Sequence, residues 1–133
     1  MAGDGVGLLV EFENKFLLLK REDTGIWEPC KGHIEPHETH EQTIKRELFE
    51  EINTEESSIH KKIGELTFSF ISKKTNKQKT RTIHYYHVKV YDLNITLSAE
   101  HIDYVWLDKD DFLARLEFED IKKMMSEYLS NLK

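Results

Sequence analysis

Cysteine is almost missing from this sequence: Cys30 is the single copy in 133 residues, so no internal disulfide can brace the chain. A chain of this size buries somewhat under ~70% of the surface it exposes when unfolded, enough for one core without covalent staples. The lone thiol also favours a reducing, cytoplasmic setting. Long apolar runs are missing as well. The stretch 6–10 is broken by Glu11, nothing approaches the ~20 residues that span a bilayer, and Met1 to Asp4 carry no basic leader region, so a soluble protein without a membrane partner is expected. Positive charge is not in excess: 25 Asp and Glu stand against 19 Lys and Arg, a net charge of −6. That balance argues against DNA binding, which requires a basic face for phosphate neutralisation. Proline is scarce too, since Pro29 and Pro36 share one short segment. With no linker, repeat or low-complexity tract, residues 1–133 are expected to form one domain.

What is present is a mixture of both periodicities. Residues 7–11 and 15–20 are apolar-rich runs either side of Glu13-Asn14, the pattern of a hairpin. Residues 21–37 hold Gly25, Pro29, Gly32 and Pro36 and are expected to form a long loop, a length that in a compact domain usually serves function. Thr39 and Gln42 form a capping box ahead of Ile44, Leu48 and Ile52 at four-residue spacing, which predicts a helix over 39–52 with Asn53 as its left-handed stop. Strands are expected over 66–72, 82–91 and 105–107. The apolar stripe Phe118, Ile121, Met124, Met125, Tyr128, Leu129 and Leu132 predicts a terminal helix packed on the core. Strands and helices together predict an α/β (α+β) domain with a sheet covered by helices.

The chemistry concentrates on the 39–52 helix. Glu47, Glu50 and Glu51 fall at i, i+3 and i+4 and share one face, roughly 100° around from the apolar stripe. Like charges so close repel, and something positive must offset them. Arg46 can pair with Glu50 one turn on, and its planar fork suits the fixing of a carboxylate. Hard divalent cations, which prefer several carboxylate oxygens plus water, answer for the rest. A solvated acidic face is the alternative for three glutamates alone.

The upstream spacing decides between them. From Gly32 the chain runs five residues to Glu38, seven more to Arg46-Glu47, then Leu48-Phe49-Glu50-Glu51. This resembles the Nudix box, Gly-x5-Glu-x7-Arg-Glu-U-x-Glu-Glu-x-Gly-U with U aliphatic. At residue frequencies of roughly 7%, six matched positions arise by chance in a chain this long about once in 10⁵. Asn53 replaces the family's glycine and Thr54 its last aliphatic residue; neither carries chemistry. The resemblance implies a Nudix fold, a mixed sheet sandwiched between helices. It also implies that Glu47, Glu50, Glu51 and the Lys31 carbonyl ligate Mg²⁺ or Mn²⁺, that Arg46 orients the carboxylates, and that Glu47 is the general base. Glu100 competes for that last role, since Nudix enzymes recruit a glutamate from this loop as ligand or base. Cys30 lacks a partnering base and is expected to be loop packing.

Within the family, Pro29-Cys30-Lys31-Gly32-His33 followed by Glu35-Pro36 is similar to the asymmetrical diadenosine tetraphosphate hydrolases, as are residues 82–86 and 97–107. That resemblance implies that Lys31 and His33 reach the polyphosphate chain and that Tyr85 stacks on adenine; Tyr85 as core packing remains the other reading. Lys73, Lys74, Lys77, Lys79 and Arg81 reverse the sign of the chain locally, with Lys79 and Arg81 as candidates for phosphate and a solvated hairpin tip as the alternative. His37, His40 and His60 are expected at the surface. The function so implied is hydrolysis of a nucleotide polyphosphate, diadenosine tetraphosphate to ATP and AMP. Nucleoside triphosphates, 5′-triphosphorylated RNA or diphosphoinositol polyphosphates are the other substrates within the superfamily, and a non-catalytic nucleotide sensor is the rival of another class.

Overall fold

The computed structural model describes residues 3–132; Met1 and Ala2, part of the segment expected to carry no leader, and Lys133 lie outside the described residues. The expected hairpin is β1 (Gly5–Phe12) and β2 (Lys15–Arg21). Its turn closes because Glu13 and Asn14 both take positive φ, 45° and 66°, the two-residue geometry whose twist matches the strands. β1 and β2 pair only beside that turn, at Glu11 with Phe16 and Phe12 with Lys15, and then splay.

The segment expected to be loop fills the splay. Trp27–Glu28 (β3) pairs with β2 and Cys30–His33 (β4) pairs with β1, both antiparallel. These strands are too short for side-chain alternation to announce them; their partners, not their residues, make them extended. The helix α1 (His40–Ile52) follows, with Thr39 accepting from the Gln42 amide, the Gln42 side chain answering the Thr39 amide, and Asn53 in the left-handed region at φ 57°. The expected strands 66–72 and 82–91 are parts of longer ones, β5 (Ser57–Ile71) and β6 (Gln78–Val90). β5 is an edge strand, exposed over most of its length and carrying Lys61, Lys62 and Glu65, so little apolar alternation marks its first half. β7 (His101–Leu107) begins four residues earlier than expected. A short helix the sequence did not signal, α2 (Lys109–Arg115), precedes the terminal helix α3 (Glu119–Ser130).

The sheet runs β3-β2-β1-β6-β5, with β4 also on β1 and β7 on β2. β1 and β6 are parallel and the other pairings antiparallel. The central strands are covered on both faces. Val6, Leu8, Val10, Leu17 and Leu19 meet Ile44, Leu48 and Ile52 of α1, while Leu9, Phe16 and Leu18 meet Phe112, Met125 and Leu129 of α2 and α3. Double coverage explains the near-continuous apolar runs of β1 and β2. No helix among the described residues is long and apolar enough to cross a membrane.

Candidate active site

The splayed end of the β1–β2 hairpin, its β3–β4 wedge and the flank of α1 enclose a polar trough of about 380 Å³. Arg46 organises its floor. Nε and Nη2 donate to Glu38 at 2.8 and 2.9 Å, Nη1 donates to Glu47 at 2.8 Å and Glu50 at 2.9 Å, and Nη2 also donates to the His33 carbonyl at 2.8 Å. The guanidinium thus ties helix, loop and β4 together, a task its five donors permit and a lysine's could not match. Glu38 also accepts from the Glu35 amide and the Thr43 hydroxyl. The Arg46 hydrogen bonds, first among these, hold its carboxyl down to about 2.

Glu47 and Glu51 are buried walls of the trough, while Glu50, with a side chain 46% exposed, turns to Arg46 outside it. Glu47 lies over Gly32, where a methyl group would overlap its carboxylate; this close approach is why the motif opens on glycine. Burial pushes the Glu47 carboxyl up to about 7 even though Arg46 pulls the other way. Arg46 engages Glu47 Oε1, and the Ser98 hydroxyl engages Glu51 Oε2 at 3.0 Å. Glu47 Oε2 and Glu51 Oε1 carry no hydrogen bond among the described residues. Two buried carboxylates, each with one oxygen held and one spare, suit a hard divalent cation. Three such groups do not converge on one point among the described residues.

Residues that sequence reasoning missed complete the trough. Glu28, buried on β3, faces Lys31 Nζ at 3.3 Å, Arg21 Nη1 at 3.4 Å and His101 Nε2 at 3.2 Å. Burial works against its charge, but His101 and Lys31 outweigh it and lower its carboxyl. His101, at the start of β7, places its other nitrogen 3.2 Å from Glu51 Oε2, off the hydrogen-bond direction. Burial alone would lower His101, yet the two carboxylates raise it to about 9. The available signal was slight: Glu28 sits inside the Trp-Glu-Pro run and His101 directly follows Glu100.

Of the other expected site residues, Lys31, His33, Arg81 and Glu100 all line the trough. Burial, then Arg81 and Lys31, lower the His33 imidazole. Tyr85 is 3% exposed, with its ring over Gly7, and lines a neighbouring apolar chamber of about 270 Å³ instead. Phe68 and Phe70 of β5, with Phe118 and Ile121 at the start of α3, form that chamber's other walls. Glu28, Lys31, Arg81 and Ile83 line both spaces. Lys79, two residues beyond Arg81, lines neither. Cys30 belongs to the core, its thiol pushed up by burial, so it packs rather than reacts. His37 and His60 are exposed as expected, but His40 is half-buried, its Nδ1 2.6 Å from the Tyr86 hydroxyl and its ring against His84. The surface expectation fails there because the first turn of α1 docks on β6.

An arginine-braced acidic helix beside a glycine-led loop, on a mixed sheet between helices, is the framework of one family. Residues 1–128 match the NUDIX domain, and the chain belongs to the Nudix family and is a Nudix hydrolase. Among its relatives, bis(5′-nucleosyl)-tetraphosphatase (asymmetrical) of Rattus norvegicus is 36% identical over 118 residues, covering 85% of this chain and 77% of that protein. CTP pyrophosphohydrolase of Escherichia coli (strain K12) is 31% identical over 113 residues, covering 81% and 77%. In a crystal structure of a C. elegans Ap4A hydrolase binary complex the similar fold has a TM-score of 0.76 at 25% identity, covering 98% of this chain and 100% of that one. Nudix hydrolases generally need a divalent metal ion, and the paired carboxylates fit that need.

Proposed function

We propose that this hydrolase cuts a phosphoanhydride bond of a dinucleoside polyphosphate, converting diadenosine tetraphosphate to ATP and AMP with Mg²⁺ or Mn²⁺. The observation that carries the reading is the junction of the two chambers: an aromatic slot of nucleoside size opens directly into a trough lined by cations and carboxylates. The similarity to relatives named asymmetrical tetraphosphatases supports it. Glu47, Glu51 and the Lys31 carbonyl would hold the ion, and Glu50 would join them by turning its carboxylate from Arg46. Bound there, such an ion supplies charge neutralisation on the phosphate oxygens and a more acidic water.

The chain's own groups do the rest. Lys31 and Arg81, shared by both chambers, clamp the phosphates, and His33 adds a donor; Lys79 meets the chain only where it emerges from the trough. The nucleobase enters the apolar slot against Tyr85 and the phenylalanines, where each stacked base contributes about 1–3 kcal/mol. Glu47 takes the proton of the attacking water as the water oxygen bonds to phosphorus, and the bridging oxygen leaves with the electron pair of the broken bond. Arg46 fixes Glu47 through Oε1. Glu100, on the trough's rim, is the alternative base.

Incubating the protein with diadenosine tetraphosphate, with and without Mg²⁺, and separating the nucleotides tests this directly. ATP and AMP in equal amounts, formed only with the metal, are expected; two ADP molecules or no cleavage would count against it. A second reading, a nucleoside triphosphate substrate, is favoured by two observations: the apolar chamber is single among the described residues and of about 270 Å³, room for one base, and a relative is named for CTP. Comparing kcat/KM on CTP, ATP, 5′-triphosphorylated RNA and a diphosphoinositol polyphosphate decides between them. Binding without turnover of any would mark a sensor.

A further inference from the structure

His101 has no part in the reaction just described, yet it is buried in the wall of the trough between two carboxylates on different elements. Nε2 stands 3.2 Å from Glu28 Oε2 on β3, and Nδ1 stands 3.2 Å from Glu51 Oε2 on α1. Nε2 is within hydrogen-bond distance of Glu28 Oε2, and Nδ1 packs against Glu51 Oε2 off the hydrogen-bond direction, so the ring is wedged between two carboxylates carried on different elements. Glu51 Oε2 thus faces both the His101 ring and the Ser98 hydroxyl, which donates to it, while Oε1 accepts no hydrogen bond among the described residues. Ser98 by itself gives one hydrogen bond, which leaves the carboxylate free to swing about it. On its other side Glu28 holds Lys31 and Arg21, so Lys31, Glu28, His101 and Glu51 follow one another in contact along the wall. The geometry points to His101 as a positioning residue that orients Glu51 for a divalent cation and, through Glu28, joins that carboxylate to the lysine facing the substrate's phosphates. This assignment rests on the metal-assisted reading of the site.

The test is Mn²⁺ binding to the protein without substrate, followed by electron paramagnetic resonance of the free ion, for wild type, His101→Gln, Glu28→Gln and the double variant. Outer partners of metal ligands typically govern affinity by 10–100-fold, and His101→Gln is expected to weaken Mn²⁺ binding by about that factor. At saturating Mn²⁺ its kcat should return close to wild type, a split that a merely structural role would not produce. Glu28→Gln should weaken Mn²⁺ binding in the same direction and raise KM. The double variant should bind no worse than His101→Gln, because both act through one bridge. Circular dichroism checks folding, and Glu28→Gln carries the test if His101→Gln does not fold. Mn²⁺ affinity of His101→Gln within about twofold of wild type, well short of the usual effect of such partners, would overturn the assignment, as would additive losses in the double variant. If wild type binds Mn²⁺ and cleaves its substrate while His101→Gln binds equally well, the His101 role alone fails; if wild type binds no Mn²⁺, the metal-assisted reading falls with it.

Discussion

Arg46 spends its donors on Glu38, Glu47, Glu50 and a carbonyl of β4, so the acids of α1 do not all stand alike. Glu51 is a buried wall of the trough and Glu50 an exposed partner of the guanidinium. Replacing either by glutamine removes one charge without changing shape. Glu50→Gln and Glu51→Gln are each expected to lower turnover by orders of magnitude, about 10²-fold or more if each neutralises charge at a bound ion, with the circular dichroism spectrum unchanged. Unaltered turnover on the preferred substrate would reject them as ligands. These residues were legible in the sequence because one helix and its leading loop carry them all, and helical spacing converts chain distance directly into space. Glu28 and His101 were not legible as a pair. They lie 73 positions apart and meet because β3 and β7 both pair with β2, a relation that local periodicity does not encode.

The element on which the site depends most is α1. Its start is set by the reciprocal bonds of Thr39 and Gln42, and Glu38, the partner of Arg46, immediately precedes it. Thr39→Ala is expected to cost about 1 kcal/mol, seen as a fall in Tm of roughly 3–6 °C for a domain of this size. Because fraying would start beside Glu38, KM should rise as well; a stability loss with unaltered kinetics would show that the cap does not support the site. This helix was readable from end to end, since caps are written in local residue types. β3 and β4 were not, because two to four residues give no period, and neither was the first half of β5, whose exposed edge needs no apolar alternation. α2 escaped for a related reason, being about two turns long with Phe112 as its single buried residue.

Across the molecule, the face opposite α1 holds a buried polar link. His87 bonds Glu11 at 2.6 Å and the Tyr128 hydroxyl at 2.7 Å, joining β6, β1 and α3. Burial lowers the His87 imidazole from its ordinary 6.5 against the pull of Glu11. The folded protein therefore resists a proton that the unfolded chain accepts. Stability from this group is complete above pH 6.5 and falls as the pH drops through the lowered value. Thermal melting should show that decline on the acid side, and His87→Gln should flatten it while lowering Tm throughout; an equally steep slope in the variant would place the titration elsewhere, with half-buried His40, lowered in the same direction, as the next candidate. The aromatic slot is walled largely by β5, β6 and the start of α3, whereas the acids and their arginine ride on α1 across the sheet. On the proposed function, reaction and choice of base therefore lie largely on separate parts of the chain, and exchanging Phe70 or Phe118 is expected to change the ranking of nucleotides by kcat/KM while cleavage persists.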